Sequence, residues 1–183
     1  LPIVGALEAA YAVEGGLQNT RDEADSSQNR YRRAGLVPYG SLSGRRPDFP
    51  LIRYPWIEVR EALCLHASVT PRGQAVQLAY VNPETGLECM PVLGFSALML
   101  RPGETIKPVR RSASAVLHCI EGGGQALIDG VALGFSESDT MAVPTHAEME
   151  ITNTSSRPTF LFQVDDAPMQ RKLGFYEEFP GRA

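Results

Sequence analysis

Five basic side chains in the second half of the chain have the types and spacing to bind a ligand: Lys107, Arg110, Arg111, His118 and His146. Guanidinium groups hold carboxylates through paired hydrogen bonds, and imidazoles coordinate transition metals. The chemistry that these residues could perform is therefore recognition of an organic anion or coordination of a metal.

Arg111 is the strongest candidate for an anion site. In an extended strand, alternation places Val109 and Arg111 on one face and Arg110 on the other. If the face of Arg111 is the interior, its guanidinium must meet a carboxylate or a bound anion, because burying it unpaired costs too much. We expect an internal ion pair to Glu148 or Glu150. The alternative is an aromatic carboxylate held bidentately by Arg111.

The three histidines of the chain could in principle build a metal site. His118 lies in the strand-like run AVLHCIEG, and His146 could join it together with Glu148 or Glu150. A lone histidine on a strand more often makes one hydrogen bond or packs at an interface. His66 follows a helical pattern and suits the carbonyl end of a helix. We therefore expect no metal role for His118 or His146.

Short strands must position these residues, because apolar residues alternate with period two from Pro71 onward. The runs, bounded by Gly, Pro, Asn or Asp, are QAVQLAYV, GFSALML, SAVLHCIEG, QALID, TMAV, EMEITN and TFLFQV. Asp129-Gly130 predicts a type I′ hairpin turn, which needs positive φ at both central residues. Residues 71–183 are thus predicted to form an all-β jelly-roll barrel.

Residues 1–70 have a different pattern. LPIVGALEAAYA shows helical spacing, residues 15–50 are polar and rich in turn formers, and YPWIEVREALCLHA places Trp56, Val59 and Leu63 on one helical face. A structureless segment of this length is uncommon within a compact domain. We expect helical segments joined by an extended connector that crosses a neighbouring domain or subunit.

Composition excludes several classes of partner. The net charge of −4 and the absence of a basic stripe argue against nucleic acid, and no apolar run is long enough to span a membrane. Cys64, Cys89 and Cys119 are widely spaced and suggest no disulfide framework. No signal-peptide pattern precedes the first residue, Leu1, which is not methionine. We expect a cytoplasmic protein and a processed or incomplete chain.

The spacing of turn residues resembles the two-part cupin signature. In the first motif, G-x5-H-x-H-x(3,4)-E-x6-G, the glycines fall on Gly103 and Gly122. The positions of the two histidines and the glutamate fall on Val109, Arg111 and Ala115. The glycines of this motif, which belong to the turn residues that we call the frame of the signature, are kept. The metal ligands of the motif are absent.

The second motif, G-x5-P-x-G-x2-H-x3-N, shows the same division. Pro144 and Asn153 match it, Ser138 and His146 stand at its glycines, and Met149 stands at its histidine. A thioether suits ferrous iron poorly, valine donates nothing, and a guanidinium puts a positive charge where a cation would sit. We expect no conventional metal centre in this barrel.

Longer runs resemble the C-terminal half of gentisate 1,2-dioxygenase-like bicupins: LPIVGALEAAY, RYPWIEVREAL, NPETGLECMPVLGFSALMLRPGE, AVLHCIEGGGQALIDG and FQVDDAPMQRKLGFYEE. The resemblance implies two cupin domains, a homo-oligomer, and a three-histidine Fe(II) site in the first cupin. That site would open an aromatic ring carrying hydroxyl and carboxylate groups with O2. The chain would begin just after the first cupin.

Three functions follow as hypotheses. The leading one is the C-terminal cupin of a ring-cleaving dioxygenase, itself metal-free and structural, whose partner is a first cupin in the same protein or a neighbouring subunit. The second is an autonomous metal-free cupin that binds a small aromatic acid through Arg111, with Lys107 and Arg110 nearby. The third keeps an active iron site built on His118 and His146.

Overall fold

Residues 53–179 are described by a computed structural model, and their elements begin with a helix that precedes a series of short strands. The elements are α1 (Trp56–Val69), β1 (Val76–Ala79), β2 (Gly94–Leu100), β3 (Thr105–Ile106), β4 (Arg110–Arg111), β5 (Ala115–Glu121), β6 (Gly123–Ile128), β7 (Val131–Ser136), β8 (Thr140–Val143), β9 (Met149–Thr152), β10 (Thr159–Asp165), α2 (Ala167–Leu173) and β11 (Glu178–Phe179). The predicted helix over residues 1–12 and connector over residues 15–50 lie outside the described residues.

The strands form two facing antiparallel sheets and a small third one. The larger sheet has the order β1-β2-β10-β5-β8, the second has the order β3-β9-β6-β7, and β11 pairs with β4. Leu98, Leu117 and Leu161 of the larger sheet pack with Ile106 and Ile151 of the second in one buried cluster. The described residues therefore form the predicted all-β jelly-roll barrel of the cupin type.

Alternation of side chains explains the core. In β5, Leu117 and Cys119 are fully buried, while Val116 is 44% exposed. Successive residues of a strand point to opposite faces, so only every second residue of each strand enters the barrel. The period-two pattern of the sequence is confirmed in this strand.

The predicted amphipathic helix is present as α1 and packs on the outer face of the larger sheet. Leu63 is fully buried in a cluster with Val76, Ala97, Met99 and Phe160. At the same face the indole Nε1 of Trp56 donates a hydrogen bond to Glu121 Oε1 over 2.8 Å. Neither helix in residues 53–179 is long and apolar enough to cross a membrane.

A buried ion pair ties the end of α1 to the barrel. Arg101 Nη1 lies 2.7 Å from Glu104 Oε1, and their side chains are 14% and 2% exposed. Arg101 Nη2 also donates to the carbonyl oxygens of Ala67 and Thr70. Because the guanidinium satisfies carbonyls left unpaired at the helix end, it acts as a helix C-cap supplied by the barrel.

The frame of the cupin signature survives in the backbone. Gly103 and Gly122 have φ of 67° and 89°, and Ser138 and His146, which replace the two glycines of the second motif, also have positive φ of 73° and 60°. At Gly122 an added Cβ would lie 2.6 Å from Thr159 Oγ1. All four glycine positions of the two motifs therefore have the positive φ that favours glycine.

Two further sequence features are found as predicted. Asp129 and Gly130 have φ of 47° and 81°, and Ile128 pairs with Val131 across them, as a type I′ hairpin requires. Asn153, the last frame residue, is fully buried. Its Nδ2 donates to the carbonyl oxygens of Leu100 and Arg157 over 3.1 and 2.7 Å, so it holds the turn between β9 and β10.

Candidate functional site

A cavity of about 430 Å³ opens between the two sheets, and it contains the four positions at which the cupin signature has metal ligands. Val109, Arg111, Ala115 and Met149 all line it. Arg111 ends β4, Ala115 begins β5 and Met149 begins β9, so three separate strands bring these residues together. The ligand positions of the motif have kept their convergence although their side chains have changed.

Asp165, at the end of β10, faces Arg111. Arg111 Nη2 lies 3.1 Å from Asp165 Oδ2, with side-chain exposures of 25% and 11%. The same oxygen accepts a hydrogen bond from Gln163 Nε2 over 2.9 Å, and Asp165 Oδ1 accepts one from the amide of Ala167 over 3.2 Å. The predicted internal ion pair of Arg111 is present, but its partner is Asp165.

Glu148 and Glu150, which were expected to pair with Arg111, pair with the other two cations of the cluster. Lys107 Nζ lies 2.7 Å from Glu150 Oε2, and Arg110 Nη1 lies 3.7 Å from Glu148 Oε1. The expectation was wrong because Met149 faces the cavity, so its two chain neighbours face away from it.

Lys107 and Arg110 lie at the rim of the site. Both line an open groove of about 920 Å³ next to the cavity, and Lys107 lines the cavity as well. The Arg110 guanidinium stacks over the ring of Phe179, with its carbon 5.0 Å from the ring centroid. Arg110 is therefore held at the surface, whereas Lys107 lies at the mouth of the cavity.

Polar side chains outside the cupin motifs also line the cavity: Gln77, Gln163, Tyr176 and Glu178. The Tyr176 hydroxyl donates a 2.7 Å hydrogen bond to Glu178 Oε1. Burial and this carboxylate raise the pKa of Tyr176, against the opposing charge of Arg111. The phenol donates this hydrogen bond and holds the Glu178 carboxylate in the cavity wall.

The histidines are not part of the cavity. His118 lies on the outer side of β5, where its Nδ1 is 2.9 Å from Thr140 Oγ1. His146 is exposed in a turn and packs edge-on against Phe179, with ring centroids 5.2 Å apart. His66 lies in the last turn of α1. The structure thus does not bring His118 and His146 together with the cavity.

The residues at the cupin metal position do not fit iron. Ferrous iron needs converging imidazole and carboxylate donors, whereas this position offers valine, alanine, a thioether and a guanidinium paired to a carboxylate. Within residues 53–179, no group of three or more His, Cys, Asp or Glu side chains could hold a metal.

Asp165 and Gln163 are site residues that the sequence reasoning missed. A signal was available in β10. Leu161, Gln163 and Asp165 are two residues apart, so a buried Leu161 places the other two on the interior face. Tyr176 and Glu178 follow α2 and had no comparable periodicity to reveal them.

Comparison with known proteins shows the family. The chain is 39% identical over 180 residues to a gentisate 1,2-dioxygenase from Ralstonia sp, covering 97% of this chain and 50% of that protein. It is 31% identical to a 5-aminosalicylate 1,2-dioxygenase from Comamonas sp, covering 97% of the chain and 47% of that protein. No protein-family model matches the chain.

Solved structures support the fold. A salicylate 1,2-dioxygenase from Pseudoaminobacter salicylatoxidans, determined with gentisate, superposes with a TM-score of 0.66 at 23% identity. The match covers 86% of this chain and 44% of that chain. The chain therefore belongs to the gentisate 1,2-dioxygenase-like family, and it spans about half the length of the curated relatives it matches.

Proposed function

We propose that the chain is the C-terminal cupin of a two-cupin, ring-cleaving dioxygenase, and that this cupin holds no metal. In this proposal residues 71–183 are the barrel and residues 1–70 are helical segments and a connector. A first cupin, in the same protein or a neighbouring subunit of a homo-oligomer, carries the Fe(II) centre. That centre opens an aromatic ring bearing hydroxyl and carboxylate groups.

One observation carries the proposal. The four ligand positions of the signature converge on one cavity, and Arg111, at one of them, forms an ion pair with Asp165. A fixed positive charge opposes a bound cation. In this proposal the Arg111–Asp165 pair takes the place of a metal, and it joins β4 to β10.

The names of the relatives indicate the reaction of the whole protein. Gentisate, 5-aminosalicylate and salicylate appear in the names of the matched dioxygenases, and each is an aromatic acid with a hydroxyl beside the carboxylate. Such a ring is our proposed substrate class. Within this cupin, the side chains contribute architecture and supply no ligand to the iron.

The metal-free state can be tested by iron loading. The 183-residue chain is incubated with excess Fe(II) without oxygen, desalted, and analysed for iron by mass spectrometry. We expect far less than one iron per chain. A matched variant that restores imidazoles, Val109→His with Arg111→His and Met149→His, should retain iron if the frame is intact. Stoichiometric iron retained by the unmodified chain would overturn the proposal.

A further inference from the structure

We infer that the cavity at the former metal position binds a small hydroxylated organic acid, with its carboxylate at Arg111 and its hydroxyl at Gln163. This site is distinct from any iron centre in a first cupin. The inference rests on the proposed function in one respect, because the centre of the cavity must be free of metal.

The cavity has the size and lining of a small-molecule site. Its volume of about 430 Å³ lies within the range of ligand pockets. Its apolar wall consists of Leu98, Ile106, Ala113, Val143 and Met149. An apolar ring that packs against this part of the wall would be removed from water.

Arg111 retains donors that its partner does not use. Only Nη2 is within ion-pair distance of Asp165, and among residues 53–179 its Nε and Nη1 make no hydrogen bond. The side chain is 25% exposed and lines the cavity. Asp165 holds the guanidinium in position, and the remaining N–H groups can bind an incoming carboxylate.

Gln163 supplies the second polar contact. The residue is 4% exposed and its Nε2 donates to Asp165. Its Oε1 has no donor among residues 53–179, yet no fully buried side-chain oxygen or nitrogen of that range lacks a partner. Gln163 lines the cavity, where its amide group can reach a ligand. A buried carbonyl oxygen facing a cavity is suited to accept a hydrogen bond from a ligand hydroxyl.

The charges around the cavity restrict the ligand further. Lys107 and Arg111 supply positive charge to its lining and Glu178 supplies negative charge. The pairing of Lys107 with Glu150 and of Arg111 with Asp165 leaves little surplus charge. Binding of a monoanion therefore depends on the N–H groups of Arg111 that Asp165 does not use, and a second carboxylate would be repelled by Glu178.

The test is calorimetric titration of the protein with 2-hydroxybenzoate, benzoate and phenol, each with and without a chelator. We expect 2-hydroxybenzoate to bind more tightly than benzoate, which lacks the hydroxyl, and more tightly than phenol, which lacks the carboxylate. Arg111→Met should weaken its binding about tenfold or more. The matched control is Arg60→Met. Arg60 lies on α1, is exposed and pairs with Glu121 of β5, so its loss should leave the affinity for 2-hydroxybenzoate unchanged.

A second variant keeps the test decisive if Arg111→Met does not fold. Gln163→Met should reduce the preference for 2-hydroxybenzoate over benzoate while leaving benzoate binding in place. Equal effects of Arg111→Met and Arg60→Met, an unchanged preference in Gln163→Met, or no binding at millimolar ligand would each refute the inference. Binding that disappears with chelator would instead indicate a metal and count against the proposed function.

Discussion

Ser138 and His146 occupy left-handed backbone, with φ of 73° and 60°. A residue with a Cβ is strained there by about 1 kcal/mol relative to glycine. The second motif thus keeps the positive φ of its two glycine positions, although serine and histidine replace the glycines.

Ser138→Gly should raise the free energy of unfolding by about 0.5–1 kcal/mol, because it removes the strain of a side chain at positive φ. The Ser138 hydroxyl makes no hydrogen bond within residues 53–179, so little is lost. Urea denaturation would measure the change. Ser114→Gly, at an exposed serine without positive φ, is the matched control and should destabilise. Equal destabilisation by both substitutions would show that Ser138 is unstrained.

Arg111 and Asp165 should show strong coupling in a double-mutant cycle. Arg111→Met leaves a largely buried carboxylate unpaired and should cost about 2–3 kcal/mol. Asp165→Asn should cost less on the Arg111→Met background than on the unmodified protein, because the unpaired carboxylate is then removed. Thermal or urea unfolding of the four proteins measures the coupling. Additive effects would mean that the pair contributes nothing.

At the scale of elements, Arg101 and Glu104 connect α1 to the barrel. Burial alone would raise the pKa of the Glu104 carboxyl, but amide hydrogen bonds from Arg101 and Gly73 and the charge of Arg101 bring it below its ordinary value of 4.5. The ionised form is thus stabilised by folding. The contribution of ionised Glu104 to the free energy of unfolding is complete above pH 4.5. It is lost as the pH falls through the lower pKa that Glu104 has in the folded protein.

Glu104→Gln should therefore destabilise the protein by about 3 kcal/mol near neutral pH, since it leaves a buried guanidinium without its carboxylate. The difference from the unmodified protein should shrink as the pH falls below 4.5. Urea unfolding at several pH values would measure it, with Glu84→Gln at an exposed residue as the control. A difference that stays constant with pH would contradict this role.

The regular elements could be predicted from the sequence, whereas the site could be predicted only in part. Period-two alternation and the Asp129-Gly130 turn depend on local sequence, and β5 and the β6–β7 hairpin match them. The partner of Arg111 depends on tertiary packing, because the five strands β5 to β9 lie between Arg111 and the strand of Asp165 in the sequence. The sequence reasoning named Glu148 and Glu150 as partners, but they pair with Arg110 and Lys107 instead.

At the scale of the whole molecule, our proposal separates the cupin architecture of this chain from the metal chemistry of the family. Both sheets, the turn conformations and the convergence of the ligand positions are present. The side chains at those positions are a valine, an alanine, a methionine and an arginine that is paired with Asp165. Since the relatives are about twice as long as this chain, the catalytic centre of our proposal lies in the other half.

The most direct test is anomalous diffraction from crystals of the protein grown with Fe(II), recorded on both sides of the iron absorption edge. We expect no anomalous peak in the cavity lined by Val109, Arg111, Ala115 and Met149. Arg111 and Asp165 should remain paired in the same crystals. An iron peak in that cavity, coordinated by side chains of this chain, would contradict the account.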